Sequence, residues 1–236
     1  MSGVVGAVEP ALVSRRFSAR RVVLDVNQVL LLGAAARDAK LVRGVVEVTL
    51  AGQVTMPGGK VLPWYHKVQL VGGSLPVAGE VLRVMGFLEH VKFFREGEAR
   101  SIVRVQAESV TPSGTSGFEV SFLPGENGGS FILLGGENRV RLSGNLTQGA
   151  ESSVMPSGDP MTRLNLAVEG PGGRRGYFLL KAWREQSRLV SSLEAGARVG
   201  VNGALLSERF EHRGLTSRNQ VVVEVTGSNT SGKRVG

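Results

Sequence analysis

The feature that most constrains this chain is that it repeats itself. The segment VLLLGAAARDAKLVRG, from Val29, aligns with RVRLSGNLTQGAESSVMPSG, from Arg139, so that Gly33 meets Gly144 at an offset of 111. LPWYHKVQLVG then meets RGYFLLKAWRE, with Tyr65 on Tyr177 at an offset of 112. VMGFLEHVKFFREG meets VNGALLSERFEHRG, pairing Gly86 with Gly203, Leu88 with Leu205, Lys92 with Arg209, Phe93 with Phe210 and Gly97 with Gly214, all at 117. SIVRVQAESV meets NQVVVEVTGS, with Val103 on Val221 and Val105 on Val223 at 118. Four blocks in one order, drifting apart only between blocks, describe two copies of a domain whose loops vary while its strands hold register.

With 33 Gly, 9 Pro and many Val-rich runs in 236 residues, the chain favours short strands joined by turns. Each copy reads as three strands, a connection, and two strands forming a hairpin around REG or HRG. In copy 2 the connection SRLVSSLEAG places Leu189, Val190 and Leu193 at helical spacing with Gly196 as a C-cap. In copy 1 the connection VGGSLPVAGE is too rich in Gly and Pro for a helix. That order belongs to the five-stranded OB barrel. The expected fold is therefore all-β: two tandem five-stranded OB barrels, the second with a short helix between strands 3 and 4.

The expected divisions are a basic N-terminal arm at 1–26, OB fold 1 at 27–112, a linker at 113–136, OB fold 2 at 137–228 and a flexible tail at 229–236. The arm carries Arg15, Arg16, Arg20 and Arg21. The linker has polar, Gly-rich ends, but its apolar pieces FEVSF and FILL suit a hairpin packed on a barrel or a partner.

A formal net charge of +8 points to a polyanionic partner. The chain has no Cys and three His, His66, His90 and His212. Thiolate catalysis, disulfides and cysteine-ligated metals are therefore excluded, and no nucleophile–base set is evident. His90 and His212 are not repeat equivalents, so a shared metal site is not expected either. PGENGG and GPGGRRG lack the Gly-Lys-Ser or Gly-Lys-Thr ending of a phosphate loop and read as linker and turn. No enzyme activity and no cofactor are expected. The apolar run from Val22 to Ala36 is broken by Asp25, Asn27 and Gln28, so no membrane span or leader is expected, and with no Cys a reducing cytoplasm is the expected location.

Binding a single strand needs cations for its backbone and aromatic faces for its bases. In YFLLKAW, strand parity puts Tyr177, Leu179, Lys181 and Trp183 on one face, with Phe178, Leu180 and Ala182 in the core. The matching outward set in copy 1 is Tyr65, Lys67, Gln69 and Val71, so Val71 stands where copy 2 has Trp183. On the second strand Glu47 stands where copy 2 has Arg163, and a carboxylate there repels phosphate. The distal hairpins offer Phe93 beside Lys92 and Arg95, and Phe210 beside Arg209 and Arg213. Arg174 and Arg175, in the turn before the third strand of copy 2, are further phosphate candidates.

On these segments the chain resembles the bacterial single-stranded DNA-binding proteins, specifically the two-OB type of the Deinococcus-Thermus lineage. LLLGAAARD and LPWYHKVQLVG carry the resemblance in copy 1; VRLSGNLTQ, MPSGDPMTRLNLAVEG, YFLLKAW and LEAGARVGVNGAL carry it in copy 2. It implies sequence-tolerant binding of single-stranded DNA in replication, recombination or repair, by a homodimer with four OB folds. Tyr177, Trp183 and Phe210 fall where the family stacks bases, and Tyr65 and Phe93 are their copy 1 counterparts. Members usually end in an acidic tail that recruits other enzymes, whereas this chain ends in SGKRVG. Such recruitment is not expected, and a tail-less paralogue is one reading. The alternative is an interaction or accessory factor, of recombination or primosome type, with weak or RNA-directed binding.

Overall fold

A computed structural model describes residues 24–55, 59–70, 72–95, 97–114, 116–125, 128–212 and 215–231, without the side chains of 95, 209–212, 215–221, 230 and 231. Copy 1 contains β1 (Asn27–Ala35), β2 (Lys40–Val42), β3 (Val45–Thr55), β4 (Val61–Leu70), β5 (Val81–Arg95) and β6 (Glu98–Pro112). After β7 (Glu119–Leu123) and β8 (Ser130–Leu134), copy 2 contains β9 (Glu137–Leu146), β10 (Glu151–Val154), β11 (Pro160–Glu169), β12 (Arg175–Trp183), α1 (Arg184–Val190), β13 (Arg198–His212) and β14 (Leu215–Ser231). Residues 1–23 of the basic arm expected at 1–26, the last five residues, Val71 and Arg213 lie outside the described residues.

Each copy closes on itself. In copy 1 the order is β1–β3–β4–β6–β5 and back to β1, antiparallel everywhere except β4 with β6. In copy 2 it is β9–β11–β12–β14–β13 and back to β9, with only β12 and β14 parallel. These are two OB barrels, and closure removes the edges that an open sheet of Val-rich strands would expose.

The repeat holds at the level of single ladder rungs. Ala35 faces Leu50 and Leu146 faces Leu166; Val68 faces Val105 and Leu180 faces Val223. Both long hairpins break register at the same place, between Met85 and Gly86 and between Asn202 and Gly203. A Cβ on Gly86 would stand 2.0 Å from the Gln106 carbonyl oxygen, and one on Gly203 2.2 Å from that of Glu224. The bulge lets one strand ride over its partner, and only a residue without a side chain fits there.

The barrels are joined through their first strands. In the antiparallel β1–β9 ladder Val29 lies opposite Val140, its own repeat equivalent, so a pseudo-two-fold axis passes between them. Residues just before β1 add a clasp: the Asp25 carboxylate accepts from Arg198 at 2.7 Å and from the Glu169 amide at 2.7 Å, both in copy 2.

One buried cluster runs through both barrels, including Leu31, Leu50, Val68, Leu142, Leu166, Leu180 and Leu205. In copy 1 Trp64 fills the barrel against Gly33 and Gly52, where added Cβ atoms would meet its ring at 2.7 and 2.5 Å. β7 and β8 form a hairpin whose Ile132 and Leu133 are fully buried against copy 1, with β8 running parallel to β3.

The helix differs from the sequence expectation. It begins directly after β12, at Arg184, and ends at Val190 with Ser191 as its C-cap, leaving Leu189 exposed and Val190 buried. Gly196 does not cap it. That residue sits in a separate turn with φ of 80°, its amide bonded to the Leu146 carbonyl. The apolar spacing that suggested a longer helix arises because Leu193 packs on the core from the turn, not from another helical rung.

Candidate nucleic-acid interface

Strand alternation sets the third strand of each copy as expected. On β12 Phe178, Leu180 and Ala182 are buried, while Tyr177 is 43% exposed and Lys181 and Trp183 are half-buried on the opposite face. On β4 Trp64, His66 and Val68 are buried, while Tyr65 is 37% exposed and Lys67 is exposed. The Tyr65 hydroxyl is 3.5 Å from Ser130 Oγ of the linking hairpin. Trp183 closes β12 at the point where α1 starts, and its side chain is only partly exposed.

Arg163 is exposed on β11 and lies opposite Lys181. Arg174 is exposed in the turn before β12 and Arg175 is exposed at the first position of β12, and Arg174 is 3.8 Å from Glu89 of copy 1. Phe93 is 36% exposed on β5. Arg95 and Phe210 lie within β5 and β13, but their side chains are not among those described.

Lys181 is not a free cation: its ammonium forms an ion pair with Glu208 of β13, and its register partner on β14 is Glu224. Burial raises the Glu224 carboxyl above its ordinary range, Glu208 pushes it the same way, and Lys181 opposes both. The copy 1 counterpart is uncharged at its centre. There Gln69 donates to Glu47, and Gln106 donates to the Gln69 carbonyl at 3.2 Å.

The structure also brings together residues that the sequence reading kept in separate copies. β5 of copy 1 reaches across to β12 of copy 2, where His90 meets the Tyr177 ring edge-on at 5.9 Å and Lys92 Nζ sits 5.5 Å from its centroid. An ammonium over a phenol face is a cation–π contact. β13 of copy 2 reaches β4 reciprocally, with Ser207 Oγ donating to the Tyr65 carbonyl at 3.4 Å. His90 and Ser207 are repeat equivalents, so one crossing is made twice with different side chains. No pattern within one copy reports such a crossing, because it depends on how β1 meets β9. Phe94, 81% exposed, was also passed over. It follows Phe93 directly, and two exposed neighbours mean that the hairpin beyond the barrel is open on both faces.

His66 belongs to the same junction. The Leu205 carbonyl of copy 2 accepts from His66 Nε2 at 2.9 Å and from Asn138 Nδ2 at 2.8 Å, which fixes the proton on Nε2. The imidazole stacks on Trp64 and is fully buried, which lowers its pKa to about 4. It is a neutral structural residue. Among the described residues no group of three or more His, Cys, Asp or Glu gathers to hold a metal, and no helix is long and apolar enough to cross a membrane.

Two closed OB barrels joined strand to strand, with aromatic and cationic side chains along their third strands, define a tandem OB-fold protein of the kind that carries an extended polymer across its barrel faces. Comparison with known proteins narrows this. The model of the single-strand binding protein family matches residues 137–231, which is copy 2. The single-stranded DNA-binding protein of Thermus aquaticus is 33% identical over 219 residues, covering 84% of this chain and 82% of that protein. That of Thermus thermophilus is 31% identical over 218 residues, with the same coverage. That of Deinococcus radiodurans is 30% identical over 226 residues, covering 85% of this chain and 74% of that protein. The crystal structure of the wild-type Thermus aquaticus protein superposes with a TM-score of 0.69 at 29% identity, over 89% of this chain and 95% of that one. The chain belongs to the single-strand binding protein family.

Proposed function

We propose that the protein binds single-stranded DNA without reading its sequence, in replication, recombination or repair, and catalyses no reaction. The observation that carries this reading is Tyr177: exposed on β12, facing the same way as Trp183, and held under Lys92 from the other copy. That arrangement presents an aromatic face for a base beside cations for its phosphates. Tyr65, Lys67, Phe93 and Arg163 extend the path, with Arg174 and Arg175 at the start of β12, and the sequence adds Arg95, Phe210 and Arg213 as further candidates. A homodimer of four barrels goes with the reading. The sheet face across β1 and β9, where Met85 is 56% exposed beside Leu30, Arg139 and Arg141, is the surface available for it.

The test is titration with homopolymer oligonucleotides of about 50 nucleotides, long enough to cross several OB sites. Trp64 is buried and Trp183 is not, so quenching of Trp fluorescence reports copy 2. Salt-sensitive, saturable quenching with matched RNA binding more weakly supports the reading. Absence of binding at low salt, or stronger binding to RNA, sinks it.

A further inference from the structure

We infer that Glu208 occupies the place of a nucleic-acid phosphate at Lys181, so that a bound strand must displace this carboxylate before it can use that cation. The inference rests on the reading of β12 as a DNA-binding strand. Lys181 projects from the proposed binding face with its side chain only 13% exposed, while Glu208, 36% exposed, forms the solvent side of the pair. Among the described residues, the charges on the adjoining rungs are Arg163 on β11, Glu151 opposite Arg163 on β10, and Glu224 on β14. Two carboxylates therefore flank one ammonium along the proposed path of the strand.

The consequence is electrostatic. A phosphate reaching Lys181 leaves Glu208 and Glu224 without their shared cation, and the site must take up a solvent cation or a proton in exchange. Phosphate neutralisation elsewhere on the protein releases counterions, but here release is offset by uptake. Glu208 thus weakens binding and flattens its salt dependence. In copy 1 the equivalent positions hold Gln69, Val91 and Gln106, which contain neither the cation nor its competitor. The device belongs to copy 2 alone.

The experiment compares wild type, Glu208→Gln, Glu208→Ala, Lys181→Gln and the Glu208→Gln/Lys181→Gln double variant, each checked for an intact thermal transition. Affinity for a dT homopolymer is measured across a salt series. Both Glu208 variants should bind roughly three- to tenfold more tightly at low salt, with a log–log salt slope steeper by up to about 0.7. The gain should largely vanish in the Lys181→Gln background. An unchanged or weaker affinity in both Glu208 variants, while wild type binds, overturns this inference and leaves the DNA-binding reading standing. A gain that persists undiminished without Lys181 also overturns it, since Glu208 would then act by general repulsion. If wild type itself does not bind, both readings fall together.

Discussion

The two copies agree in backbone and differ in what they hang on it. Both carry the bulge before the glycine of the fourth barrel strand, both press Gly33 or Gly144 onto a neighbouring carbonyl, and both use an Asn side chain to extend the ladder, Asn27 to Leu88 and Asn138 to Leu205. Their outward residues diverge. Copy 2 has Tyr177, Lys181 and Trp183 where the sequence of copy 1 has Tyr65, Gln69 and Val71, and Gln69 is buried. Even the charges opposite the short second strands are exchanged: Lys40 faces Glu47 in copy 1, and Glu151 faces Arg163 in copy 2. Each copy thus places opposite charges across one rung, a favourable cross-strand arrangement whichever way round the signs run. Glu47 also accepts from Gln69, so it serves its own copy and is not merely a repulsive replacement for Arg163. The constraint on the barrel is shape, which duplication preserved, while the outer face was free to change.

The largest expected effect tests the shared half of this comparison. Gly86→Ala and Gly203→Ala each drive a methyl into a backbone carbonyl and should cost about 2–3 kcal/mol or more, by similar amounts, in denaturant melts. A cheap substitution in one copy and a costly one in the other would break the equivalence of the barrels.

The next effect tests a difference. His66 has Phe178 as its repeat counterpart, and only the His titrates. Its native pKa lies near 4, below its ordinary 6.5, so the unfolded chain binds the proton first as pH falls. Stability is full above about 6.5 and should fall by about 3 kcal/mol on acidification through the native value. His66→Phe should flatten that slope in unfolding curves measured from pH 7 to 4. An unchanged slope would remove His66 as its source.

The smallest effect concerns the crossing between copies. Lys92→Ala should weaken single-strand binding by about 0.5–1 kcal/mol although it lies in copy 1, and the loss should disappear in a Tyr177→Ala background. Equal losses in both backgrounds would mean that Lys92 acts independently of the ring.

The fold was legible in the sequence because barrel closure leaves periodic marks: alternating Val and Leu for the core, and glycines where strands cross. The offset between Tyr65 and Tyr177 and that between Leu50 and Leu166 are the ones the ladders show, Ala51 facing Tyr65 and Ala167 facing Tyr177. The outward assignment of Tyr177, Lys181 and Trp183 followed from the same parity. What parity cannot carry is contact between elements distant in the chain. His90 and Lys92 over Tyr177 depend on the β1–β9 junction, and the capture of Lys181 by Glu208 depends on the path of the β13–β14 hairpin. The misplaced helix has a local cause, an apolar Leu193 that serves the core from a turn.

The central claim is that stacking is concentrated on copy 2. Binding of a dT homopolymer by Trp183→Ala and Tyr65→Ala, measured side by side in one buffer with labelled oligonucleotide, tests it most directly. Trp183→Ala should lose about 1–3 kcal/mol, the worth of a stacked base, and Tyr65→Ala distinctly less. A larger loss for Tyr65→Ala would contradict the account.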